Sequence, residues 1–243
     1  MKKLTESARE KLQQISTATI ATYLFKKGLK NQFIQNVFPL TSKKTNMVGE
    51  AFTLRYIPAR EDLNPIGVFR NQDHPQRVAV ETCPKGSVLV IDSRKNARAA
   101  SAGSILATRL MKRGVAGIVT DGGFRDSKEI AELDFHSYHQ KPSAPTNLTL
   151  HQAIDINLPI GCGDVAVFPG DIIVGDDDGI MVIPNHLIDE VIEECIAMTL
   201  YEEFVIEKVQ SGSSILGLYP LIDENIKKEF ELWKNKKPQQ ILK

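Results

Sequence analysis

Apolar side chains at Leu4, Leu12, Ile15, Ile20, Leu24 and Phe25 recur at helical spacing and predict a helix over residues 4–28, broken or capped at Ser16-Thr17 and ended by Gly28. Residues 48–57 alternate small or apolar with polar positions, as a half-buried strand does, and Pro58 ends the run. Residues 59–75 are rich in charge, Pro and Asn and are long enough to be a functional loop. Helical spacing resumes from Val78, Pro84-Lys85-Gly86 makes a turn, and residues 87–92 (SVLVID) read as a buried strand. A helix over 102–113, closed by Gly114, then leads to a second buried strand over 115–121 (VAGIVTD). Strand, helix and strand at this spacing make a βαβ unit.

Beyond Gly122-Gly123 the pattern breaks into shorter pieces. A short helix starts near Asp126, and short strands are expected around Ser137 and over 154–160. A meander follows over 165–168, 172–174 and 180–183, punctuated by Pro169-Gly170-Asp171 and by Asp178-Gly179, the latter expected as a type I′-like turn. Residues 187–209 form an amphipathic helix, 211–220 a linker and 222–233 a final helix. The pattern predicts an α/β fold with a βαβ unit, a β-rich second half and C-terminal helices: one domain over 1–210 and a helical arm over 211–243.

Charge narrows the partners. Thirty basic residues balance thirty acidic ones, so no global positive field exists to hold nucleic acid or an anionic membrane. The basic groups Lys26, Lys27, Lys30 and Lys234, Lys236, Lys237 read as solvated helix ends. Cys83, Cys162 and Cys195 are far apart with no C-x-x-C pair, which suits a reducing compartment. The first residues run into charged helical sequence where a signal peptide needs an apolar stretch, and no apolar run reaches bilayer length. The expectation is a cytoplasmic protein with no membrane and no nucleic-acid partner.

Chemistry concentrates between Gly103 and Asp126. A helix opening at Gly103 offers unpaired N–H groups, backed by its dipole, to a carboxylate. The following strand delivers the chain to Asp121-Gly122-Gly123, at the strand end where open α/β sheets usually bind ligands. Arg125 and Asp126 leave that turn together: a permanent cation for a carboxylate or enolate, and an oxygen ligand for a hard divalent ion. Asp126-Ser-Lys-Glu129 also reads as an N-cap with its reciprocal acid, so both roles stand for Asp126 at this point.

Gly103 through Asp126, with the Arg-Asp-x-x-Glu run Arg125 to Glu129, resembles the signature of the RraA-like family, which includes 4-hydroxy-4-methyl-2-oxoglutarate aldolases. A second block, from Val167 through Pro-Gly-Asp and Asp-Asp-Asp-Gly to Pro184, resembles that family's second motif. The resemblance implies a swivelling, β/β/α-type layered domain and a divalent-metal-dependent lyase that cleaves a 4-hydroxy-2-keto acid to pyruvate, with oxaloacetate decarboxylation as a side activity. It implies that Gly103, Ser104, Ile105 and Leu106 bind the substrate carboxylate, that Arg125 contacts the keto oxygen, and that Asp126 holds Mg²⁺ or Mn²⁺. Asp121 and Glu129 are the carboxylates available for an outer shell. Ser104 departs from the Glu or Asp that aldolases of the family commonly carry there. The resemblance further implies a homotrimer or dimer of trimers, with Arg60-Glu61-Asp62 and His74-Pro75-Gln76-Arg77 reaching a neighbouring subunit's pocket. A non-catalytic regulator of RNA-degradation enzymes and a hydratase or decarboxylase of a sugar-derived keto acid are the competing functions. Asp176-Asp177-Asp178 lacks the spacing of a calcium loop, and the five histidines show no convincing metal-ligand spacing.

Overall fold

The structure is a computed structural model describing residues 3–236, so Lys237 and the remainder of the predicted arm lie outside the described residues. The long N-terminal helix is two helices, α1 (Glu6–Leu12) and α2 (Thr17–Lys26), and the Ser16 side chain caps the second by accepting from Thr19 N. The chain continues through β1 (Phe38–Pro39), β2 (Met47–Pro58), α3 (Pro75–Thr82), β3 (Val88–Asp92), β4 (Ala100–Ala102), α4 (Ser104–Lys112), β5 (Gly117–Thr120) and β6 (Gly123–Phe124). It goes on through α5 (Ser127–Ala131), β7 (His136–His139), β8 (Lys141–Pro142), β9 (His151–Ile156), β10 (Ile160–Cys162), β11 (Val165–Val167), β12 (Ile172–Gly175) and β13 (Ile180–Ile183). Helices α6 (Ile188–Gln210) and α7 (Glu224–Lys236) complete it.

Strands β2, β3, β5 and β7 pair in parallel at the centre of an eight-stranded sheet, and β1, β9, β12 and β13 extend it antiparallel. The expected βαβ unit is β3-α4-β5. Side-chain alternation divides the core: Leu89, Ile91 and Ile118 pack with Ala79 of α3, Leu110 of α4 and Ile130 of α5, while Val88, Val90 and Val119 face Ile160, Cys162, Val165 and Val167 of the β10–β11 hairpin. Helices therefore cover one face and a β layer the other, which is why these central strands read as unbroken apolar runs. Each fully buried Leu, Ile or Val contributes about 1.5–3 kcal/mol. Helices α1, α2 and α6 close a further core over β12 and β13, and α7 folds back on α6 through Tyr201, Phe204, Phe230 and Trp233.

The Asp178-Gly179 turn differs from expectation. A type I′ turn needs positive φ at both central residues, but only Gly179 has it, at +141°, and four residues separate the paired Gly175 and Ile180. Asp176 shapes this loop: its carboxylate accepts from Thr17 N and Oγ1, both at 2.7 Å, and from Asp178 N at 2.9 Å. No described helix is long and apolar enough to cross a membrane.

Two buried histidines stack on core rings, His139 on Phe124 at 5.2 Å and His151 on Tyr56 at 5.4 Å. Burial pushes both imidazoles down to about 4, with the Arg94 charge adding to the effect at His151. They fold neutral, whereas the unfolded chain protonates near 6.5. Their contribution is complete above that pH and is lost as the pH falls toward 4. Urea denaturation across that window should show a shallower fall for His139→Asn than for the parent, and an unchanged slope would contradict a neutral, desolvated His139.

Candidate active site

The site is made by two very short strands that periodicity in the sequence does not show. β4 and β6 lie side by side and parallel, Ala100 against Gly123 and Ala102 against Phe124, with β8 beyond β6. Arg125 N donates to Ala102 O at 3.1 Å. The residues leaving the two strands therefore emerge together, Gly103 into α4 and Arg125-Asp126 into α5. Beneath them the hydroxyls of Ser93, Ser101 and Thr120 interlock at 2.7–3.1 Å, and Gly122 N donates to Thr120 Oγ1 at 3.0 Å. A Cβ on Gly122 would lie 2.4 Å from Ser101 Oγ, so this glycine serves close packing.

Asp126 is the N-cap residue of α5, yet its backbone is left-handed, φ 56° and ψ 40°, and its side chain makes no cap hydrogen bond. The capping-box expectation thus fails for Asp126, because an N-cap that accepts from its own helix usually sits in the extended region. The carboxylate turns instead toward the start of α4, where Oδ2 accepts from Ser104 N at 3.2 Å and Ser104 Oγ at 3.3 Å and lies 3.5 Å from Arg125 Nε. Gly103 makes the approach possible. A Cβ there would lie 2.7 Å from Asp126 Oδ2 and 2.9 Å from Arg125 Cγ.

A cavity of about 370 Å³ opens beside this corner, with Gly103, Ile105, Leu106, Arg125 and Asp126 in its wall. Ser104 buttresses the carboxylate from outside that wall. The α4 amides are less open than an uncapped helix start, since Ser104 N already donates to Asp126 and Leu106 N to Gly103 O at 3.1 Å. The two supporting carboxylates are elsewhere. Asp121 is buried and accepts from Ser93 N (2.6 Å), Lys95 N (3.0 Å) and Gly163 N (3.2 Å), bracing the turn after β3, while burial pushes its carboxyl above the ordinary range. Glu129 is exposed on α5, away from the cavity lining. The structure does not gather either one beside Asp126 for an outer shell.

Ile66, Phe69, Gln76 and Arg77 line this chain's own cavity, together with Thr146 and Asn147, while Arg60 pairs with Asp62. The length and composition of 59–75 signalled a functional loop, but nothing local marked Thr146-Asn147. Among the described residues no group of three or more His, Cys, Asp or Glu converges. Asp126 is the carboxylate in the cavity wall, with Oδ1 unengaged among the described residues. A single carboxylate suits an ion that keeps most of its water, as Mg²⁺ does, and does not suit a tetrahedral zinc site.

The model of the RraA-like family, described as Aldolase/RraA, matches residues 15–182. A protein of Halalkalibacterium halodurans named "Putative 4-hydroxy-4-methyl-2-oxoglutarate aldolase" is 35% identical over 109 residues, 45% of this chain and 51% of that protein. DlpA of Legionella pneumophila is 28% identical over 207 residues, 84% of this chain and 32% of that protein. The chain thus spans from a third to about half of the length of these two curated relatives. Among solved structures, RraAS2 of Streptomyces coelicolor, described as an unusual member of the RNase ES inhibitor RraA protein family, matches with a TM-score of 0.74 and 25% identity over 84% of this chain and 98% of that one. An uncharacterized protein from Pseudomonas syringae pv. tomato shares the fold, with a TM-score of 0.76 at 22% identity over 90% of this chain and all of that one.

The close approach at Gly103 is directly testable. Gly103→Ala should fold with stability within about 1 kcal/mol of the parent, because the side chains it strikes are partly exposed and can move. A crystal structure of the variant should show the Asp126 carboxylate displaced from Ser104. Retention of both Ser104 contacts would show that the glycine is not what permits them.

Proposed function

The chain belongs to the RraA-like family, and from that premise we propose that it is a divalent-metal-dependent lyase releasing pyruvate from a 4-hydroxy-2-keto acid. One observation carries the reading: Asp126 stands at the N-cap of α5 but makes no side-chain cap hydrogen bond, and presents its carboxylate, beside the Arg125 guanidinium, at the wall of a cavity. An ion pair this exposed adds little to stability, so its cost in backbone conformation is better explained by chemistry than by folding. Relatives that carry the name "Putative 4-hydroxy-4-methyl-2-oxoglutarate aldolase" support the reaction class.

The reaction asks four things of the site. The substrate's carboxylate must be held, and the first-turn amide of Ile105, with the positive end of α4 behind it, supplies that. Charge must be received at the keto oxygen as the C3–C4 bond breaks and its electron pair moves toward C2. Arg125 meets that charge with a cation that stays protonated. Asp126 would hold Mg²⁺ or Mn²⁺, which when bound supplies Lewis acidity to the keto and carboxylate oxygens. The proton leaving the 4-hydroxyl, as C4 becomes a carbonyl, goes to water or to a group from another copy, since the described cavity wall carries no imidazole, lysine or second carboxylate. A proton added at C3 completes pyruvate. Oxaloacetate decarboxylation follows the same electron flow, with carbon dioxide leaving, and is the expected side activity.

The same reading has the protein act as a homotrimer or a dimer of trimers. Ile66 and Ile105, 72% and 79% exposed in the cavity wall, give a neighbouring copy an apolar surface to cover. The likeness to RraAS2 favours a second reading, a protein-binding regulator of RNA-degrading enzymes. That role gives no reason for the corner at Gly103, Arg125 and Asp126.

Pyruvate release from 4-hydroxy-4-methyl-2-oxoglutarate and from oxaloacetate, with Mg²⁺, Mn²⁺ or EDTA, separates the two. The lyase reading expects metal-dependent turnover of both compounds, abolished in Asp126→Ala. In Arg125→Ala the loss should be on the order of 100- to 1,000-fold, the effect of removing one well-placed donor to a developing oxyanion. Absence of turnover with either metal would leave the regulatory reading, and full activity in Asp126→Ala would remove the metal-ligand role of Asp126.

A further inference from the structure

The cavity holds more than the keto-acid end of a substrate requires. At about 370 Å³ it offers roughly a dozen water volumes at about 30 Å³ each, more than pyruvate fills. Part of its wall is apolar, from Ile66, Phe69, Ile105 and Leu106. Its polar groups beyond Arg125 and Asp126 can be accounted for one at a time.

Gln76 is committed, its Nε2 donating to Tyr56 Oη at 3.0 Å and Ser101 O at 2.8 Å. The Thr146 hydroxyl donates to Asn147 Oδ1 at 3.2 Å. That bond fixes the amide so that Nδ2 is the end left over. Asn147 is 4% exposed, and its Nδ2 is buried with no acceptor. A buried donor without an acceptor is costly, so an acceptor brought to this wall by a ligand would be favoured. Arg77 completes the set. Its guanidinium lies over the Phe69 ring, 4.7 Å from the centroid, and has no carboxylate partner among the described residues.

A cation held by an aromatic face and an unpaired amide donor share one wall, and neither has an acceptor. What satisfies both is an acceptor-only, anionic group, and the planar fork of arginine favours a carboxylate. We propose that Arg77 and Asn147 are specificity-determining residues: a second anchor, within the same chain, for a carboxylate at the far end of the substrate from its keto acid. The proposal rests on the lyase reading for the position of the keto-acid end. It adds that recognition of the far end comes from the long loop's edge on α3 and from the turn at Asn147–Thr149.

The test is calorimetric binding of 2-oxoglutarate and of pyruvate, each with Mg²⁺, to the parent, Arg77→Met, Asn147→Leu and Asp126→Ala, with thermal unfolding as the folding control. Asn147→Ser serves if the leucine variant does not fold. The parent should bind 2-oxoglutarate more tightly than pyruvate. Arg77→Met and the Asn147 variant should each weaken 2-oxoglutarate by about ten- to a hundredfold, the scale of a lost charge-assisted hydrogen bond, and leave pyruvate unchanged. Equal weakening of both ligands, or of neither, overturns the anchor while Asp126→Ala still abolishes pyruvate binding, so the lyase reading survives. Selective loss in the Arg77 and Asn147 variants with pyruvate binding intact in Asp126→Ala keeps the anchor and removes the metal-site reading. A parent that binds neither keto acid overturns both.

Discussion

The site depends on the space left by one missing side chain. Gly103 lets the Asp126 carboxylate come against the first turn of α4, and any Cβ there would sit inside contact distance of both Asp126 and Arg125. Its own φ of −132° is ordinary extended backbone, so the requirement is for room and not for conformational freedom. The unusual conformation falls on Asp126, at φ 56°. A non-glycine residue in the left-handed region is strained, although Asp tolerates it better than most. Such strain persists only where the surroundings over-determine it, and here they do: Arg125 N is tied to Ala102 O, while Ser127 Oγ donates to Phe124 O at 3.2 Å.

Beneath this corner the fold is built for rigidity. The interlocked hydroxyls of Ser93, Ser101 and Thr120, the Tyr56-Gln76-Ser101 bonds and the Asp121 brace are all buried and satisfied. Polar groups at that depth would each destabilise the core if left unpaired, so the network forces β4, β5 and the turn after β3 into one arrangement. Asp121 belongs to this layer. A carboxylate gripped by three backbone amides is a structural anchor, and the half-exposed Asp126 above it is the one free to meet a ligand. The two acids lie five residues apart in sequence, and the number of backbone donors each accepts assigns their roles.

Much of this fold was legible in the sequence, for identifiable reasons. The runs at 87–92 and 115–121 announced buried parallel strands because both of their faces are covered, and α6 showed its amphipathic stripe over more than six turns at about 3.6 residues each. The family is legible in the Gly103 to Asp126 segment, and the match over residues 15–182 agrees. Strands β4, β6 and β8 were not legible: two or three residues carry no period, and their pairing is set by backbone contacts distant in sequence. The I′ expectation at Asp178-Gly179 failed because Asp176 is drawn to Thr17, a contact that no local pattern encodes. Arg125 and Asp126 stood out by motif, whereas Arg77 and Asn147 become visible only once the chain folds them into one wall. Gln76 and Arg77, read in the sequence as reaching toward a neighbouring subunit, stand in the wall of this chain's own cavity, which is set by the packing of α3 against the site and not by any local pattern.

The central claim is that the Asp126 carboxylate, freed from capping and steadied by Ser104 and Arg125, is the protein's own ligand for a divalent ion. Electron paramagnetic resonance of Mn²⁺ titrated into the protein tests it without reference to turnover. The account predicts one bound ion per chain in the parent, with its signal altered when pyruvate is added, and no such ion in Asp126→Asn. Equal Mn²⁺ binding by the parent and by Asp126→Asn would contradict it.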